Sequence, residues 1–125
     1  MFGRTAQKKE KGNKMKILQT SNGITKAQLF NIEKDPSERM KEAAGEPLNI
    51  DLWVLGEREG ENGDTYQVLL IGDVNGIIYS TSSATFISQF IQALEVFDGV
   101  IKTIEVTPRK SKKTGREFLT FRVLE

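Results

Sequence analysis

The stretch "SSATFISQFIQALEVFDG", Ser82 to Gly99, decides how the rest of the chain is read. Phe86, Ile87, Phe90, Ile91, Leu94 and Phe97 recur at helical spacing and form one broad apolar stripe. Ser82 or Ser83 supplies an N-cap, and Gly99 supplies the stop. Such a stripe belongs against a core rather than on a binding surface. Every other strongly patterned segment alternates instead, as strands do. One core helix set among strands is therefore the frame.

Working outward toward the N-terminus, "DTYQVLLIGDV" reads as a strand, with Asn75–Gly76 a two-residue hairpin signal from which "IIYST" returns as an extension of that same strand. "GEREGENG" before them reads as an acidic turn, and "PLNIDLWVL" (Pro47–Leu55) as a strand. In that strand Leu48, Ile50, Leu52 and Val54 share one parity, and Asn49, Asp51, Trp53 and Leu55 the other. "DPSERMKEAAG" has the punctuation of a small helix, with Asp35 as N-cap, Pro36 at the first position, Glu38 at the third and Gly45 as the stop. "KILQT" and "TKAQLFNI" (Thr25–Ile32) read as a first strand bent at "SNG". Beyond the long helix, "VIKTIEVTP" and "EFLTFRVL" form two more strands around the loop "PRKSKKTGREF".

Five principal strands with a helix between the third and fourth is the element order of an OB-fold. The expected fold is thus mainly β: a five-stranded Greek-key barrel with one core helix, plus a short helix between strands 1 and 2. Residues 1–16, polar, basic and without periodicity, read as a flexible basic arm, and 17–125 as the OB-fold domain. A general α+β domain is the alternative.

The chain has 125 residues and a net charge of +1, with no cysteine and no histidine. Disulfides, thiolate metal sites, His-dependent nucleophiles and the usual zinc sets are excluded. Neither GxxxxGK[ST] nor GxGxxG occurs. The expectation is a binding protein, not an enzyme, with no cofactor and no metal. A carboxylate-only hydrolase built on Asp51, Glu57 or Asp64 reads poorly, because these acids lie in or beside a Gly-rich turn. No apolar run approaches the ~18 residues of a membrane span, and the basic start lacks the apolar core of a secretory signal. A cytoplasmic location, without membrane attachment, is the expectation.

The small net charge hides a segregated pattern. Residues 1–16 carry +5, residues 17–100 carry −8 and residues 101–125 carry +4. Two basic segments on a dipolar molecule are compatible with nucleic-acid contact. Arg109, Lys110, Lys112, Lys113 and Arg116 crowd the last loop, where phosphates would relieve their mutual repulsion and Gly115 permits the turn. A plain solubilising, edge-protecting turn is the other reading. On "EFLTFRVL", Leu119, Phe121 and Val123 read as core, which puts Phe118, Thr120 and Arg122 on the wet face. By the same parity argument Trp53 stands on a wet face as a base-stacking platform; packing under the small helix or in a dimer interface is its alternative. Tyr79, Tyr66 and Phe30 have ambiguous faces, and Lys26 is a further candidate cation.

The segments "TKAQLFN", "NGIIYSTSS" and "SKKTGREFLTFRVL" together resemble the small OB-fold single-stranded DNA-binding proteins of phages, including the phi29 type. The likeness spans roughly Ile24 to Glu125 as short matches without one diagnostic motif. The resemblance implies sequence-tolerant coating of single-stranded DNA in phage replication or recombination. Phage replication or recombination proteins would be the partners, in the host cytoplasm. The sequence ends in "FRVLE" directly after a strand, so recruitment through an acidic tail, as in bacterial-type proteins of this function, is not expected. A homodimer and a monomer are both compatible with the sequence. The expected DNA-binding residues are Trp53, Phe118, Tyr79, Arg109, Lys110, Lys112, Lys113, Arg116, Arg122 and Lys26. An OB-like protein-interaction or assembly domain without nucleic-acid binding is the alternative.

Overall fold

The computed structural model describes residues 15–124. Most of the expected N-terminal arm lies outside the described residues. Its last two residues do not: Met15 is buried and Lys16 opens the first strand. The elements run β1 (Lys16–Thr20), α1 (Lys26–Lys34), β2 (Glu38–Arg39), a 3₁₀ turn (Met40–Ala43), β3 (Pro47–Glu59), β4 (Thr65–Asp73), β5 (Ile78–Thr81), α2 (Ala84–Val96), β6 (Thr103–Lys110) and β7 (Glu117–Val123). The seven strands form one curled, mixed sheet in the order β2-β5-β4-β3-β6-β7, with β1 paired to β3. The β2–β5 pair is parallel and the others are antiparallel.

The long helix forms as its sequence predicts. Ser83 caps it by accepting the Phe86 N–H at 3.2 Å. Phe86, Ile87, Phe90 and Leu94 are buried. It ends through Asp98 and Gly99, both at positive φ, with the Gly99 N–H donating to the Leu94 carbonyl at 2.7 Å. Its stripe packs on one face of the sheet, against Trp53, Leu55, Leu69, Ile71, Ile104 and Val106. Phe121 joins through ring contacts to Phe86 and Phe90 at 4.9 and 6.0 Å between centroids.

The opposite face of β3 and β4 is also covered. Val54, Val68 and Leu70 pack there with Met15 and with Ile32 of α1. This helix replaces the strand expected over Thr25–Ile32. Thr25 is a complete capping box: its Oγ accepts the Gln28 N–H at 3.0 Å, and Gln28 Oε1 accepts the Thr25 N–H at 2.9 Å. The helix expected from Asp35 is absent in turn. Asp35 instead closes α1, its N–H donating to the Asn31 carbonyl, and the following residues pair briefly with β5 before the 3₁₀ turn buries Met40. Asp35 thus ends one helix instead of capping another, because the backbone at Glu38–Arg39 is taken up by the parallel pairing with β5.

β3 is the organising strand. Its start pairs with β6, and its remainder pairs with β4 and, on the other edge, β1. Between Ile50 and Leu52 the β3–β4 register shifts, which leaves Asp51 as an extra residue. A one-residue bulge moves every later side chain to the other face. Leu48 and Ile50 therefore face the α2 core at the start of the strand, Trp53 and Leu55 face it afterwards, and Leu52 and Val54 turn to the α1 side. β3 also runs on to Glu59, four residues past the expected end, so the acidic turn shrinks to the residues between β3 and β4. The five principal strands are accordingly not those expected. The first expected strand is β1 plus a helix, and "IIYST" is a strand in its own right. The core helix lies between β5 and β6.

Candidate nucleic-acid interface

The basic stretch is the loop of the β6–β7 hairpin. Pro108 pairs with Leu119, Arg109 with Phe118 and Lys110 with Glu117. The loop holds itself through its own backbone. The Ser111 N–H donates to the Arg116 carbonyl and the Gly115 N–H to the Ser111 carbonyl, both at 2.8 Å, with Gly115 at φ +69°. The Ser111 and Thr114 hydroxyls accept the N–H groups of Thr114 and Arg116. None of these bonds uses a charged side chain.

The cations are therefore left to solvent. Arg109, Lys110, Lys112, Lys113 and Arg116 are all exposed. Among the described residues none of the five lies within ion-pair distance of a carboxylate. Five like charges on one short, self-supported loop produce a local positive potential with no internal counterion. Phe118, half-buried, stands at its base in register with Arg109. Thr120, next on that parity, donates to Gln89 Oε1 of α2 at 2.6 Å, so the helix already occupies part of this face. Arg122 is exposed, paired in register with Glu105.

The structure does not bring the other expected site residues to the hairpin. Trp53 is 3% exposed and meets Phe90 edge-on, with centroids 5.5 Å apart. It is a core residue and offers no face to a base. The Asp51 bulge is the physical cause, since it turned Trp53 inward. Tyr79 is half-buried against the α2 core. Burial, followed by the carboxylates of Asp73, Glu38, Glu46 and Glu42, pushes its hydroxyl above the ordinary tyrosine range. Acidic surroundings of that kind oppose a phosphate backbone. Lys26 opens α1, on the face of the sheet opposite α2.

Exposed aromatics do exist elsewhere. Tyr66 on β4 is 45% exposed and Phe30 on α1 is 65% exposed. Lys41 lies 3.9 Å from Glu117 at the base of the hairpin. No sequence motif marks Tyr66, Lys41, Arg39 or Arg58. Only the meeting of β2, the 3₁₀ turn, β3 and β4 puts them near one another. No helix among the described residues is long and apolar enough to cross a membrane. Comparison of the chain with family models, curated proteins and solved structures finds no match.

Proposed function

We propose that the protein binds single-stranded DNA with little sequence preference, holding phosphates on the β6–β7 hairpin. The observation that carries this reading is the hairpin itself: five exposed cations on a loop held by backbone bonds, none paired with a carboxylate among the described residues. Arg122 extends the positive surface along β7, and the half-buried Phe118 adds an aromatic side chain at the base of the hairpin. Backbone phosphates are abundant on a single strand and carry no sequence information, which suits a charged loop with no shaped pocket.

The curled sheet supports an OB-fold reading with revised strand assignments. β3, β4 and β5 are consecutive antiparallel neighbours, and β6 returns through α2 to lie beside β3. That spatial order, fourth-first-second-third, is a Greek key. On that reading, with β7 as the fifth strand, the basic loop would correspond to the loop between the fourth and fifth strands, one of the two through which such barrels hold oligonucleotides. The resemblance to phage proteins is the ground for placing this binding in replication or recombination.

The test is fluorescence anisotropy of end-labelled oligo-dT, titrated with the full chain between 50 and 200 mM salt. The slope of log affinity on log salt should be near −0.7 per phosphate held, so about −3.5 if all five loop cations engage. That corresponds to roughly a hundredfold loss over the fourfold salt range. Absence of binding at micromolar protein in the lowest salt sinks the reading. A complex whose affinity ignores salt sinks the phosphate mechanism.

A further inference from the structure

β5 pairs with β4 only over Leu69–Gly72, so the first residues of β4, from Thr65 to Val68, have no strand on that edge. The sheet opens there into a cleft of about 560 Å³. Three cations line it: Arg39 from β2, Lys41 from the 3₁₀ turn and Arg58 from β3. Among the described residues no carboxylate does. Val68 and Leu119 contribute apolar wall, and Ser82 presents a hydroxyl. Tyr66, the cross-strand partner of Arg58, also lines the cleft and is 45% exposed.

Arg58 makes this more than a charged hollow. Its Nε is buried and has no hydrogen-bond partner among the described residues. It also makes no ion pair among them. A buried guanidinium N–H without an acceptor is costly, and such groups are rare unless something outside the chain satisfies them. A ligand able to do so here is anionic, carries several acceptor oxygens, and has a flat apolar part to lie on Tyr66. A nucleotide meets each requirement, and the cleft falls within the 300–1,000 Å³ typical of small-ligand sites.

The cleft also meets the hairpin. Lys41 lines one and approaches Glu117, the neighbour of Arg116, in the other. We propose that the cleft is a nucleotide subsite. It holds one phosphate on Arg39, Lys41 and Arg58 and the attached base on Tyr66, so that a strand lying on the hairpin continues into it. This inference rests on the strand-binding reading above. The same chemistry fits a free mononucleotide, and the two sources are separable.

The experiment compares the full-length wild type with R58Q, Y66L and the K112A/K113A pair, using labelled (dT)12 and, separately, dTMP. R58Q should weaken (dT)12 about tenfold or more, as expected for losing charge-assisted hydrogen bonds, and should reduce the salt slope by about 0.7. Y66L should weaken it at least about fivefold through lost stacking, with the slope unchanged. The thermal midpoint of R58Q should equal or exceed that of wild type, because the substitution removes an unsatisfied buried group. If R58Q and Y66L bind (dT)12 like wild type while K112A/K113A does not, the subsite is overturned and the strand reading stands. If wild type fails on (dT)12 but binds dTMP through Arg58, the strand reading falls and the cleft is a mononucleotide site. Binding of neither ligand overturns both.

Discussion

Truncating Trp53 to alanine tests the register of the whole sheet. The indole is 3% exposed and packs edge-on against Phe90. A tryptophan buries on the order of 150–250 Å², worth about 4–6 kcal/mol at 25 cal/mol per Å², as an upper figure. The edge-to-face pair adds about 0.5–1.5 kcal/mol. Partial collapse of the cavity brings the expected cost of W53A to about 3–5 kcal/mol. A domain of this size holds only about 5–15 kcal/mol in total, so the variant should lie close to its unfolding threshold. W53F keeps a ring against Phe90 and should lose less than half as much. The assay is equilibrium urea unfolding followed by circular dichroism, because the alanine variant has no tryptophan to report. In the wild type, Trp53 emission should be blue-shifted, resist acrylamide and stay unchanged when oligo-dT binds. A W53A cost below about 1 kcal/mol, or an indole that acrylamide reaches freely, would show that Trp53 faces solvent and that the Asp51 bulge does not turn the strand.

Three further perturbations address the hairpins and the acidic corner. K112A/K113A should reduce the salt slope for oligo-dT by about 1.4, two phosphates at 0.7 each, without moving the thermal midpoint, since neither side chain takes part in the bonds that hold the loop; a large drop in midpoint would make the loop structural. Asp73 is 8% exposed, and its Oδ1 accepts the N–H groups of Asn75 and Ile77, each at 2.9 Å. D73A should therefore cost about 1–3 kcal/mol in urea unfolding, with D73N losing less because it keeps an acceptor. Tyr79 holds its proton more tightly when folded than the ordinary value of 10.0. Its contribution is thus complete below pH 10 and is lost as pH rises through the raised folded value; Y79F should flatten that alkaline limb in pH-dependent melts, and an unchanged limb would remove Tyr79 as its source.

Much of the fold was legible because short-range chemistry specifies it. The Ser83 cap, the apolar stripe of α2 and the Gly99 stop act within one helix and needed no partner to be read. The same holds for the basic loop, whose shape comes from Ser111, Thr114 and Gly115 within it, and for the existence of the β4–β5 hairpin. The turn of that hairpin, however, is centred on Val74 and Asn75, with the Gly76 N–H donating to the Asp73 carbonyl and Gly76 alone at positive φ, not the two-residue Asn75–Gly76 turn expected. Thr25 and Gln28 were equally legible as a capping box. The short apolar run that follows them, Leu29, Phe30 and Ile32, suits a strand as well as a helix, so the box alone does not settle the element.

Where the chain turns and where charge accumulates follow from short stretches of sequence. The Thr25 and Ser83 caps, the turn glycines and the run of lysines act over a few residues and keep their roles when packed, whereas the cap expected at Asp35 gives way to the end of α1. Which way β3 faces follows only from its tertiary partners. Parity in a strand is defined by its partners, and one unpaired residue at Asp51 reverses it for all that follow. That reversal took Trp53 from an expected stacking platform into the core. It also let α1 and Met15 cover a face expected to be wet. The cleft around Arg58 has the same origin, since its cations come from three separate elements that meet only where β5 ends and the sheet opens.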